Sequence, residues 1–134
     1  MSDVVTINGK RYRRVAFHYL VPRQTFAAAG QLQPQLTIAG DYDFEMHKVM
    51  VQRTQAAVRV EMLDAAAGGA GFQNAPVPID LWGGTGQLPF TVVPQVWKKR
   101  QQFIFNIFND FAGANVIDID FFGYKLVPVD ASAV

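Results

Sequence analysis

The groups that could do chemistry in this chain are few and scattered. Asp118 and Asp120 stand two apart in Asn115-Val116-Ile117-Asp118-Ile119-Asp120-Phe121-Phe122. Residues i and i+2 of an extended strand share a face, so the two carboxylates sit side by side. Such a pair can divide acid and base roles on a glycoside, and it can equally receive the basic side chains of a partner. No His, Tyr or Arg constellation that would complete a catalytic set is identifiable around them, and partner contact is the reading adopted. A second row, Asp43, Glu45 and His47, puts three oxygen or nitrogen donors on one strand face. It could hold a cation weakly. A solvated polar face explains it without further assumption, and His18 and His47 have no other neighbour at ligand spacing. Ser2 and Ser132 are the only serines, both in terminal segments where a nucleophile is hard to hold rigidly. Gly83-Gly84-Thr85-Gly86-Gln87 has the glycines of a phosphate loop but neither its Lys-Ser/Thr nor a following helix, and reads as a turn. No catalytic residue, metal or cofactor is assigned, and the chain is read as a non-enzyme.

Cations and tryptophans offer a different chemistry, that of adhesion. Lys10, Arg11, Arg13 and Arg14 crowd behind the turn signal Asn8-Gly9. On a strand, Arg11 and Arg13 share a face with Val15 and Phe17, while Arg14 joins Tyr12, Ala16 and His18. Splitting the charge over two faces suits an edge ribbon in solvent, guarded against edge-to-edge association. Contact with an acidic partner surface is the functional alternative. Trp97-Lys98-Lys99-Arg100 is a second basic cluster. Nucleic acid is not assigned as a partner, because stacking platforms and a wide basic field are wanting. Trp82 and Trp97 could be sugar-stacking platforms or buried anchors. The candidate partner-contact residues are therefore Lys10, Arg11, Arg13, Arg14, Trp82, Trp97, Asp118 and Asp120.

The elements that must position these groups are strands. Asn8-Gly9 between β-formers predicts a type I′ hairpin. A strand over Val15–Val21 is expected to stop at Pro22, and 23–31 to form a loop with one helical turn. Leu36, Thr37 and Ile38 predict a short strand. Tyr42 to Gln52 predicts a longer one, with Tyr42, Phe44 and Met46 inward, Asp43, Glu45 and His47 outward, and a bulge or twist near Lys48 to Val51. Gln55 to Leu63 alternates well, and Arg53-Thr54 predicts a hairpin turn before it. The glycine-rich stretch 64–71 predicts a pliable loop continuing as extended chain to Pro78. Leu81-Trp82 leads into the turn 83–86, and Leu88 to Val93 predicts a strand bracketed by Pro89 and Pro94. Phe103–Phe108 is apolar on both faces, so central burial or self-association is expected, and with Val116–Phe122 it predicts a hairpin in mid-sheet.

Composition agrees with a packed β-protein. At 134 residues, half of them hydrophobic and eleven of them Phe, one domain with a sizeable core is expected. A formal charge of +1 exerts no global pull on nucleic acid or anionic membrane. Cysteine is absent, so the core must hold the fold unaided. No apolar run reaches the length of about 20 residues needed to span a bilayer, and no cleavable leader is visible. A soluble protein made in the cytoplasm is expected. About eight strands with regular turns predict an all-β antiparallel sandwich, a jelly roll by strand count.

Four segments carry a resemblance. They are Pro76-Val77-Pro78-Ile79-Asp80-Leu81-Trp82-Gly83, Leu88-Pro89-Phe90, Phe103-Ile104-Phe105-Asn106-Ile107-Phe108-Asn109 and Ile117-Asp118-Ile119-Asp120-Phe121-Phe122-Gly123-Tyr124-Lys125-Leu126. The succession resembles the head accessory proteins of tailed bacteriophages, in particular jelly-roll cement, or decoration, proteins that clamp the outer face of a capsid. The Asp43-Phe44-Glu45 and Thr54 to Met62 strands fit the same style. The basic hairpin lies outside it. The resemblance implies a virion protein on the capsid exterior, assembled in the host cytoplasm, whose partner is the major capsid protein, with self-association as a dimer or trimer. A neck, tail or spike protein of the same fold is the near alternative. A carbohydrate-binding sandwich using Trp82, Trp97 or Tyr124 is the alternative from another class.

Overall fold

The protein is described by a computed structural model, which places residues 4–65, 70–71, 76–83 and 90–129. Most of the expected pliable loop, the turn over 84–86 and the tail from 130 lie outside these residues. Among them run β1 (Val4–Ile7), β2 (Lys10–Phe26), β3 (Gly30–Leu32), β4 (Gln35–Thr37), β5 (Asp43–Arg53), β6 (Val58–Asp64), β7 (Ala70–Gly71), β8 (Val77–Pro78), a single helical turn α1 (Ile79–Gly83), β9 (Phe90–Trp97), β10 (Gln102–Asn109) and β11 (Asn115–Pro128). The strands form two antiparallel sheets. The first has the order β1-β2-β11-β5-β9, and the second β3-β10-β6-β7, with β4 also on β10 and β8 also on β6.

The inner faces of the two sheets supply one core. Phe103, Phe105 and Ile107 of β10 and Val58, Val60 and Met62 of β6 meet Tyr19, Val21, Phe44, Val49, Val51, Ile117, Ile119 and Phe121 of the first sheet. Rings lock the layers together: Phe105 lies 5.8 Å from Phe121, and Trp97 4.5 Å from Phe103. Aromatic contacts of this kind add about 0.5–1.5 kcal/mol each beyond their buried area. The all-β sandwich expected from the alternating runs is the architecture found.

Pairing follows a nested order. Phe105 N–H donates to Pro34 O (3.0 Å) between β3 and β4, so those two segments act as one interrupted edge strand along β10. Then β2 pairs with β11, β3/β4 with β10, β5 with β9 and β6 with β7/β8, the earliest strands with the latest. The pairs β11–β5 and β10–β6 join these ribbons into sheets.

Several expectations are corrected. β10 and β11 are not a hairpin, because the 110–114 link crosses from one sheet to the other. β5 and β6 are not a hairpin either, for the same reason. Alternation identifies a strand but not the sheet that takes it. β2 does not stop at Pro22. The register slips between Ile119↔Val21 and Ile117↔Gln24, so Pro22 falls in a bulge, where its missing N–H costs no ladder bond. Residues 23–26 continue the strand and no helical turn forms there. The outer side of β10 is covered by local polar groups rather than a packed layer. The Arg59 guanidinium lies 4.7 Å from the Phe108 ring centre, and Asn106 bridges Glu61 and Gln33. The Asn8-Gly9 turn is as expected, with φ of 52° and 80° and Ile7 opposite Lys10.

Candidate partner interface

Two bulges shape the outer face of the first sheet. On β5, His47 is the extra residue between Met46↔Gly123 and Lys48↔Phe122. That insertion resets the alternation, which is why Phe44 and Met46 and then Val49 and Val51 all point inward. His47 turns back on its own strand, its Nε2 lying 2.8 Å from Glu45 Oε1. The same carboxylate accepts Arg14 Nε (2.8 Å) and Nη2 (3.3 Å), and the Arg14 guanidinium lies 5.9 Å from the Tyr124 ring centre. Glu45 was expected outward in solvent. It does lie on the outer face, but buried at 6% exposure beneath these partners. Burial pushes its carboxyl up, yet the hydrogen bonds from Arg14 and His47 outweigh it and hold the group below the usual range. Two of the expected row, Glu45 and His47, are thus engaged with each other and with Arg14. Asp43 serves the Lys99 backbone N–H (2.9 Å) and Lys98 Nζ (3.5 Å) instead. Among the described residues, no group of three His, Asp or Glu side chains is placed to hold a metal ion.

The second bulge aims Arg23 across to β11. Its Nε and Nη2 reach the two oxygens of Asp118 at 2.9 and 3.0 Å, a bidentate clasp. Asp120 Oδ2 lies 2.7 Å from His18 Nδ1, while its Oδ1 is enclosed without a hydrogen-bond partner. The two aspartates therefore do share a face, each already holding a cation or imidazole of β2.

Between these pairs the face carries apolar groups together with the exposed cation Lys48, which stands opposite Phe122. Leu20 is 63% exposed opposite Asp120, Ala16 is exposed, and Phe122, Tyr124 and Met50 are half-buried beside it. Leu20 had drawn no attention in the sequence; its only signal is an outward position on a strand whose inward neighbours Tyr19 and Val21 are core.

The other expected contact residues divide. Lys10, Arg11 and Arg13 are exposed at the start of β2, whereas Arg14 is committed to Glu45. Trp97, 3% exposed, is a core residue between Phe44, Phe103 and Phe121. Trp82 packs its ring edge-on with Phe105 and Phe121. Neither tryptophan presents a stacking platform, because burying a large ring is worth more to a small core than leaving it in water. Among the described residues no helix is long and apolar enough to cross a membrane. The chain matches no protein-family model, and no curated protein matches it.

Proposed function

We propose that this chain is a non-enzymatic structural protein of a bacteriophage virion, a cement or decoration protein that binds the outer face of the head and bridges major capsid subunits. The observation that carries the reading is the outer face of the first sheet, where Leu20, Ala16, Phe122 and Tyr124 are exposed or half-buried beside the Arg23–Asp118 clasp and the His18–Asp120 contact. A protein that works by adhesion needs a rigid core and a patch of about 800 Å² per partner, with many copies adding avidity. The nested pairing of early strands with late ones supports the jelly-roll form of the sandwich. Self-association as a dimer or trimer belongs to the same reading. A neck, tail or spike position uses the same face and differs in where it docks. The inward tryptophans leave Tyr124 as the one residue of the sugar-binding alternative not built into the core.

The test is sedimentation with phage heads stripped of accessory proteins. The purified chain is expected to pellet with heads, and Leu20→Glu to lower that binding at least tenfold while leaving the β-type circular dichroism intact. A chain that stays in the supernatant while an added glycan quenches its fluorescence would overturn the reading.

A further inference from the structure

The fold brings the two basic clusters of the sequence to one end of the sandwich. A single row crosses the first sheet through Arg14, Leu126 and Asp43, and through Val15, Lys125, Phe44 and Trp97. Lys98, Lys99 and Arg100 follow directly from that row, and the Lys99 backbone is tied to Asp43. On the other flank β2 runs out past the row to Arg13, Arg11 and Lys10. Inter-strand spacing makes the row from β2 to β9 about 14 Å wide, and the hairpin extends it by about 13 Å. Eight of the chain's twelve Lys and Arg residues thus share this end. The carboxylates described there are Asp41, Asp43, Glu45 and Asp64. At the opposite end Arg23, Arg53 and Arg59 are each matched to an aspartate. Among the described residues the cations thus gather at one end, although the net charge of the chain is +1.

We propose that this basic end is a docking surface for a carboxylate-rich protein surface, and, on the reading of the chain as a virion protein, that it seats on the shell beside the Leu20 face, to which Arg14 and Tyr124 join it. Three features favour protein over nucleic acid. Cations here alternate with carboxylates, Arg14 with Glu45, Lys98 with Asp43 and Lys125 with Asp41, and that mesh would repel the unbroken charge of a phosphate backbone. Two of the aromatic rings at this end are already occupied, Phe17 by Lys125 Nζ at 4.2 Å and Tyr124 by Arg14, which leaves them closed to stacked bases. Exposed Val15 and Val96 flank the cations, supplying the apolar contacts that protein interfaces use.

Two double variants of equal charge make the test: Arg13→Glu/Lys99→Glu at the basic end, and Arg53→Glu/Arg59→Glu, away from both this end and the Leu20 face. With stripped heads, the first is expected to lose binding at least tenfold and the second less than threefold, both remaining folded by circular dichroism. Equal losses, or none, overturn the basic end as the seat while leaving the virion reading in place. If the wild-type chain ignores heads, that reading fails, and immobilised poly-L-glutamate against duplex DNA at about 0.1 M salt, where screening acts over about 10 Å, decides the surface alone. Retention on polyglutamate that only the first variant loses sustains it. Tighter binding to DNA, or retention on neither, overturns it.

Discussion

Glu45 shows how one residue's surroundings decide its role. A glutamate alternating with phenylalanine reads as a solvated position, yet the bulge at His47 and the long reach of Arg14 roof it over. Its carboxyl, held below its ordinary value, binds a proton less readily folded than unfolded, so folding gains from it above the unfolded value of about 4.3. That gain is lost as pH falls through the folded value. Asp41 beside Lys125 and Asp110 beside Arg59 are lowered too, adding to the same acid limb. The urea midpoint is expected to be flat near neutrality and to fall below about pH 4. Glu45→Gln should cost about 1–2 kcal/mol at pH 7 and show a shallower acid decline; an unchanged decline would remove Glu45 from the account. Gly123 is the second decisive residue. A Cβ there would fall on the Glu45 carbonyl, so Gly123→Ala should lose about 1–3 kcal/mol or more through forced backbone movement, read as a lowered urea midpoint. Asn115, fully buried, accepts from Thr54 Oγ1 (2.8 Å) and Gln55 N (2.9 Å) and donates to Gln55 O and Asn109 Oδ1. It ties two sheet-crossing links together, work that its place in a polar break did not reveal.

Among the elements, strands were legible and their partners were not. Period-two alternation marks Ile117–Phe121 because it buries one face, the aromatic run Phe103–Phe108 was legible as a strand although apolar on both faces, and Asn8-Gly9 marks its turn because both residues need positive φ. Nothing in alternation says whether the next strand continues the same sheet or crosses to the facing one, so the hairpins expected at Arg53-Thr54 and at 109–115 became crossovers. Pro22 was read as a stop because a proline breaks a ladder, but a bulge absorbs it. The contact residues divided on the same principle: charge at Lys10, Arg11 and Arg13 stayed outside, while Trp82 and Trp97 were taken by the core. Their sharing of an end with Lys98–Arg100 depends on long-range pairing, which no local signal carries. The first hairpin can be tested alone. Gly9→Val places a β-branched residue at φ 80° and should destabilise the hairpin by about 1–2 kcal/mol. Amide exchange is then expected to quicken at Val5 and Tyr12, the hydrogen-bonded pair next to the turn-closing Ile7 and Lys10, while Phe105 stays protected. Phe105→Ala, in contrast, should cost about 3–5 kcal/mol overall.

At the scale of the whole molecule, nested pairing makes the last strand the keystone. β11 lies between β2 and β5 and carries inward Ile117, Ile119 and Phe121, so the first sheet has no middle until the chain's end is available. β2 and β11 are separated by most of the sequence, and contacts this distant require loop closure before they return any stabilisation. Folding should therefore sit at the slow end for a small domain, milliseconds to seconds or longer. A chain ending at Asn109 keeps all of the second sheet yet loses both neighbours' pairing partner; it is expected to give no cooperative urea transition. Removing residues 1–9, whose described part is β1 and its turn, takes away an edge that pairs with Lys10–Arg13, and should leave a cooperative transition with a modestly lower midpoint. Comparable transitions in both truncations would mean that the second sheet folds by itself, and the sandwich would then be two cooperating units rather than one.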